Sequence, residues 1–116
     1  MLLNGGELDG IRLLGRKTVT LMTTNHIPAH ALPLRFPDTT MYGYGFGFGG
    51  AVTMNVAETQ NFESVGNFGW GGAASTHFWI DPQEALIGLI MTQFMPVNHY
   101  PIEPQFKTLT YQALVD

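Results

Sequence analysis

Five small residues in a row, Gly71-Gly72-Ala73-Ala74-Ser75, follow Phe68 and Trp70 and precede Thr76-His77. With no bulky side chains around them, backbone N–H groups stay open to a ligand, and at a strand edge such a group can stabilise an oxyanion. A glycine bend at a sheet edge has the same composition, so the pattern alone leaves both readings open. Ser75 and His77 are a nucleophile and a base by type. Two positions apart on a strand, their side chains stand about 7 Å from each other, too far for direct proton transfer. His77 is therefore expected to pack or to line a cleft. His26 and His30 have the four-residue spacing of a helical ligand pair, but Pro28 puts them in a loop and no metal site is expected. Glu58, Glu63, Asp81 and Glu84 fall in connections or turns, where solvation is the simple expectation, and none is placed as half of a carboxylate pair. The absence of cysteine rules out thiolate catalysis, disulfides and cysteine-based zinc sites.

The elements that would hold the small-residue run can be read from periodicity. Met1–Asn4 followed by Gly5-Gly6 resembles the last turn of a helix with a glycine stop, which implies a helix upstream. A short apolar stripe, Val19, Leu21 and Met22, predicts a helix over 17–25, and three prolines make 26–38 a loop. From Tyr42 the period becomes two. Tyr42, Tyr44, Phe46 and Phe48 alternate with Gly43, Gly45, Gly47 and Gly49, which predicts a strand continuing to Met54. Its bare face implies that another backbone or a helix approaches closely. After a polar connection over 55–64, strands are expected over 71–81 and 85–95. Asp81-Pro82-Gln83-Glu84 reads as a type I turn joining them into an antiparallel hairpin. The second strand carries apolar residues on both faces, as a covered central strand does. Ile102, Phe106, Leu109 and Ala113 recur at helical spacing behind Pro101, so a helix over 101–115 should cover one face of the sheet.

The chain has 116 residues, of which 45% are hydrophobic and only 12% charged. A domain of this size buries roughly 65% of its unfolded surface, and about a quarter of its residues would normally be charged. The deficit implies that part of the surface is covered by something else. A net charge of −4 with no basic stripe argues against nucleic-acid binding. The first residues lack the cationic and apolar regions of a signal peptide, and no apolar run approaches the roughly 20 residues of a membrane span. A soluble protein of undetermined compartment is the expectation.

Several blocks resemble one family. Met1-Leu2-Leu3-Asn4-Gly5-Gly6-Glu7-Leu8-Asp9-Gly10, Leu13-Leu14, Val19-Thr20-Leu21-Met22 and Tyr44-Gly45-Phe46-Gly47 are similar to the C-terminal part of the serine β-lactamase-like hydrolases. The most specific block is Gly69-Trp70-Gly71-Gly72-Ala73-Ala74-Ser75-Thr76-His77-Phe78-Trp79-Ile80-Asp81-Pro82. Within that family the resemblance points to the class C β-lactamase-related esterases, or family VIII carboxylesterases. It implies an α+β fold, an antiparallel sheet with flanking helices, with residues 1–116 as a single partial domain of a β-lactamase/transpeptidase-like fold. In the family a Ser-x-x-Lys nucleophile and a tyrosine base face a Lys-Thr-Gly strand. Trp70-Gly71-Gly72 resembles the esterase form of that strand motif. By the same match Trp70, Gly71 and Gly72 would contact substrate, and the Ala73 N–H would be one of two oxyanion donors. Tryptophan in place of lysine removes the charge that would hold a β-lactam carboxylate, which favours neutral esters without excluding β-lactams.

The family's nucleophile is missing. Ser64 and Ser75 are the only serines and neither begins a Ser-x-x-Lys, and the four tyrosines stand in other contexts. The expected function is the cleft-forming part of an esterase that is inactive alone, without cofactor or metal. A non-catalytic module that binds a partner is the alternative. Unpaired edges and uncovered apolar faces predict a homo-oligomer, or docking of the missing N-terminal part.

Overall fold

The computed structural model describes residues 1–115. Its first residues have the geometry of a helix end. The Gly6 N–H donates to the Met1 carbonyl and the Gly5 N–H to the Leu2 carbonyl, both at 3.0 Å, with Gly5 at φ +60°. These are the paired bonds of a Schellman motif. A two-residue hairpin, β1 (Glu7–Leu8) and β2 (Ile11–Arg12), leads to helix α1 (Arg16–Met22).

The proline-rich stretch is not loop throughout. Three residues of 3₁₀ helix, Ala29–Ala31, precede a hairpin of β3 (Leu34–Phe36) and β4 (Thr39–Met41). The aromatic–glycine segment also departs from expectation. It folds back on itself as β5 (Tyr44–Phe46) and β6 (Ala51–Thr53), closed where the Gly47 N–H donates to the Gly50 carbonyl at 2.8 Å. The expected close approach to its bare face is present. A Cβ on Gly45 would lie 2.3 Å from the Asn25 side chain, and one on Gly47 would lie 2.2 Å from the Met22 carbonyl oxygen. Asn25 Oδ1 accepts the Phe46 N–H at 3.0 Å, and the Met22 carbonyl accepts that of Phe48 at 2.8 Å. The chain leaving α1 is thus bonded directly to the β5 backbone.

A one-turn helix α2 (Val56–Thr59), capped by the Asn55 side chain on the Ala57 N–H, interrupts the polar connection. Three strands follow: β7 (Phe68–Gly71), β8 (His77–Asp81) and β9 (Leu86–Ile90). The strand expected over 71–81 is broken, because Gly72–Thr76 forms a bend between β7 and β8. The larger sheet runs β5-β6-β7-β8-β9 with every neighbour antiparallel. β9 is therefore an edge strand, not the covered central one that its composition suggested. Ile87, Leu89 and Met91 are 55%, 61% and 75% exposed.

Val52, Phe68 and Ile80 are successive register partners and share one face, where Val19 of α1 lines a small cavity with Phe68 and Ile80. Ala51, Gly69, Trp79 and Gly88 form the neighbouring row on the other face. The indole of Trp79 occupies the space above Gly88, where a Cβ would come within 2.1 Å of the ring. Helix α3 (Ile102–Gln112) covers that face, with the Phe106 and Trp79 rings edge to face at 5.5 Å. The helix lies where expected but is rotated. Leu109 is 65% exposed and Ala113 is exposed, whereas Lys107 is buried. Glu103, Lys107 and Tyr111, one turn apart, meet the sheet because buried polar groups there require partners.

Candidate functional site

The Trp-Gly-Gly segment owes its accessibility to the length of β6. That strand pairs with β7 only through Val52↔Phe68 and Ala51↔Gly69, whereas β8 continues to Trp70↔Phe78 and Gly71↔His77. Trp70 and Gly71 thus have a strand partner on one side only. Trp70 is half-buried, with the Phe46 ring edge-on at 4.9 Å and the Phe36 ring tilted at 5.9 Å. Both rings come from hairpins that the sequence reading had placed in a loop or a single strand.

Beyond Gly71 the backbone turns sharply. The Gly72 N–H donates to the Thr76 carbonyl at 2.8 Å and the Ser75 N–H to the Gly72 carbonyl at 3.0 Å. Ser75 is buried at φ +60°, and its Oγ donates to the Phe94 carbonyl at 2.8 Å. The Ala74 carbonyl accepts from Thr92 Oγ1 at 2.6 Å and from the Phe94 N–H at 3.1 Å. The chain leaving β9 therefore clamps the bend at Ala74 and Ser75. At its outer side Ala73 is exposed, and its N–H donates to no acceptor among the described residues. Ser75 and His77 form no dyad, since the hydroxyl is committed to a carbonyl. Burial lowers the His77 pKa. Glu103 opposes that shift and Lys107 adds to it. His26 is likewise structural, its ring stacked on Phe48 at 4.4 Å and its Nε2 2.8 Å from the Leu21 carbonyl.

The acidic residues correct the sequence reading most. Glu63 and Asp81 were expected in solvent, yet the Glu63 side chain and Asp81 as a whole are 0% exposed. Glu63 accepts from the Tyr44 hydroxyl through Oε1, and through Oε2 from Asn67 Nδ2 at 2.8 Å and Lys107 Nζ at 3.2 Å. Lys107 also reaches Glu103 at 3.0 Å and lies 5.6 Å from the Trp79 ring centroid. Burial alone would raise the Glu63 pKa. The Lys107 ammonium and the Tyr44 hydroxyl outweigh it and hold the carboxyl below its ordinary value. Burial, then Glu63, pushes the Tyr44 phenol up, and burial with Asp81 does the same to Tyr111. Asp81 accepts the Tyr111 hydroxyl at 2.7 Å and the backbone N–H groups of Ser64, Gln83 and Glu84. The sequence carried one usable signal, the i, i+4, i+8 spacing of Glu103, Lys107 and Tyr111.

Trp70, Gly71, Gly72 and Ala73 line the same cleft as Tyr44, Glu63 and Lys107, a cavity of about 1120 Å³. The sequence-predicted site residues are thus brought together. Among the described residues, no three His, Cys, Asp or Glu side chains are grouped to hold a metal ion, and no helix is long and apolar enough to cross a membrane.

No family model matches the sequence. Two curated proteins of Mycobacterium tuberculosis are similar over 98% of this chain at 32% identity: protein Rv1367c of strain H37Rv and uncharacterized protein MT1414 of strain CDC 1551. The chain spans about a third of their length. Among solved structures, EstCE1, a hydrolase with promiscuous acyltransferase activity, superposes at TM-score 0.69 with 25% identity, over 94% of this chain and 26% of its own. The LovD6 mutant of simvastatin synthase from Aspergillus terreus superposes at TM-score 0.71 with 25% identity, over 96% of this chain and 31% of its own. The sheet with its two covering helices is thus part of the fold of the β-lactamase-like serine hydrolases.

Proposed function

From the β-lactamase-like serine-hydrolase fold of this chain, we propose that it forms the C-terminal cleft wall of an enzyme that cleaves carboxylic esters through an acyl-enzyme. Residues 1–116 would be one partial domain, inactive without the part that carries the serine nucleophile and its base. The serine oxygen would attack the ester carbonyl, the alcohol would leave, and water would then release the acid. This chain's contribution is electrostatic and steric. The Ala73 N–H would donate to the developing oxyanion, and Trp70, Gly71 and Gly72 would line the substrate slot. The observation that carries the reading is the Ala73 N–H, without an acceptor among the described residues on a bend clamped through Ser75 and Thr92. Removing one oxyanion donor lowers kcat by about 10²–10³. In the complete enzyme, Ala73→Pro should show that loss while Ala73→Gly, which keeps the N–H, does not. Full ester turnover by Ala73→Pro would overturn the assignment.

The missing Ser-x-x-Lys motif favours a second reading, a non-catalytic module that binds a partner. Both readings predict no serine-dependent turnover by the isolated chain, so labelling of Ser64 or Ser75 by a fluorophosphonate would overturn both. The binding surface in this reading is the β9 edge with its exposed Ile87, Leu89 and Met91. Open strand edges with an apolar face pair with other chains. The chain alone should therefore sediment as a dimer or larger, and Ile87→Lys should shift it toward monomer. A compact monomer at micromolar concentration would sink the idea.

A further inference from the structure

The hydrogen bonds that hold the bend after β7 are arranged in series. The Ala73 N–H belongs to the Gly72–Ala73 peptide, and the carbonyl of that same peptide accepts the Ser75 N–H at 3.0 Å. The peptide is trans, so its N–H and C=O point in opposite directions. With the Gly72 carbonyl turned inward onto Ser75, the Ala73 N–H is turned outward, where it has no acceptor among the described residues. The Ser75 N–H in turn belongs to the Ala74–Ser75 peptide. The carbonyl of this second peptide accepts twice, from Thr92 Oγ1 at 2.6 Å and from the Phe94 N–H at 3.1 Å. One hydroxyl therefore stands at the head of a file of two peptide groups that ends on the Ala73 N–H.

Thr92 can act on the site without touching what the site holds. It follows β9, two strands away from β7, and neither Thr92, Ala74 nor Phe94 lines the cleft, whereas Gly72 and Ala73 do. Ser75 steadies the neighbouring donor, since its Oγ donates to the Phe94 carbonyl at 2.8 Å. A donor to a peptide carbonyl draws electrons toward the oxygen and leaves the N–H of that peptide more positive. Hydrogen bonds in a chain strengthen one another in this way by about 10–30% per bond. An oxyanion donor is worth about 10²–10³ in kcat, and 10–30% of those exponents corresponds to about two- to eightfold.

We propose that Thr92 is a positioning residue for the oxyanion donor, its hydroxyl fixing and polarising the Ala74–Ser75 peptide and, through it, the Gly72–Ala73 peptide. As a statement about rate, it rests on the esterase reading. As a statement about the bend, it stands on this chain alone. The first test is ¹⁵N NMR of the 116-residue chain carrying Thr92→Val, which keeps the shape and loses the hydroxyl. The Ser75 and Ala73 amide signals should both move upfield, Ser75 further, while Thr92→Ser, which keeps the hydroxyl, leaves them near their original positions. Should Thr92→Val not fold, Thr92→Ala carries the same expectation with a smaller side chain. The second test is kinetic. In the complete enzyme Thr92→Val should lower kcat about two- to eightfold at unchanged KM, and Thr92→Ser should restore it. Added to Ala73→Pro, Thr92→Val should cost nothing further, because the file has lost its last N–H.

Unmoved Ser75 and Ala73 amides would overturn the proposal, as would a Thr92→Ser chain that behaves like Thr92→Val. So would full kcat in Thr92→Val, a raised KM, or a loss of the same size with and without the Ala73 N–H. Coupled amide shifts together with an Ala73→Pro enzyme of full rate would instead sink the esterase reading and leave the control of the bend by Thr92 standing.

Discussion

The two faces of the sheet solve the same packing problem with different chemistry. Toward α1 no ion pair crosses among the described residues: buried Val19, Phe68 and Ile80 are apolar, and glycines at 45 and 47 let backbone bond to backbone. Toward α3 it is a polar network in which Lys107 joins Glu63 to Glu103 and Tyr111 caps Asp81. Dispersion and burial hold the first face and tolerate small changes of volume. The second depends on every charge keeping its partner, because an uncompensated buried charge is far worse than a missing methyl group.

The sharpest way to break this contrast is Lys107→Met, which strands the buried Glu63. It should destabilise the chain by about 3–5 kcal/mol in urea denaturation, and adding Glu63→Leu should recover most of that loss. Tyr111→Phe removes one hydrogen bond to a charged acceptor and should cost about 1.5–3 kcal/mol in the same experiment. On the α1 face Ile80→Val should cost only about 0.5–1.5 kcal/mol. Were Ile80→Val to exceed Lys107→Met, the proposed division between the faces would be wrong.

The gentlest perturbation adds only a proton. The Glu63 pKa is lowered in the folded chain, so its contribution is fully present above the unfolded value, about 4.3. That contribution is lost as pH falls through the lower folded value. Stability should therefore drop on acidification below about pH 4.3, with a shallower slope in Glu63→Gln. Identical slopes would show that Glu63 does not set the acid limb.

What the sequence disclosed follows the same division. Alternation of aromatics with glycine marked a strand with a bare face, and Asn25 and Met22 indeed occupy that space. Asp81-Pro82 marked a turn, and Asp81 Oδ1 accepts from Gln83 and Glu84 as an Asp at the first position does. The exposed backbone at Ala73 was legible because small residues leave a compositional trace. Glu63 and Lys107 were not, because their partners are 44 positions apart and local pattern treats a charge as solvent-facing. Apolar composition misplaced β9 for a related reason. Hydrophobicity shows that a face seeks cover and is silent on whether a neighbouring strand supplies it.

The early end of β6 has a metrical consequence. Each paired residue advances a strand by about 3.3 Å, so two more residues of pairing would carry β6 past Trp70 and Gly71 and close the slot beside them. The number of residues between Gly47 and Ala51 therefore acts as a gauge for how much of the β7 edge is left bare. Insertions and deletions in that tight link, remote in sequence from Ala73, would lengthen or shorten the recess in steps of a strand residue.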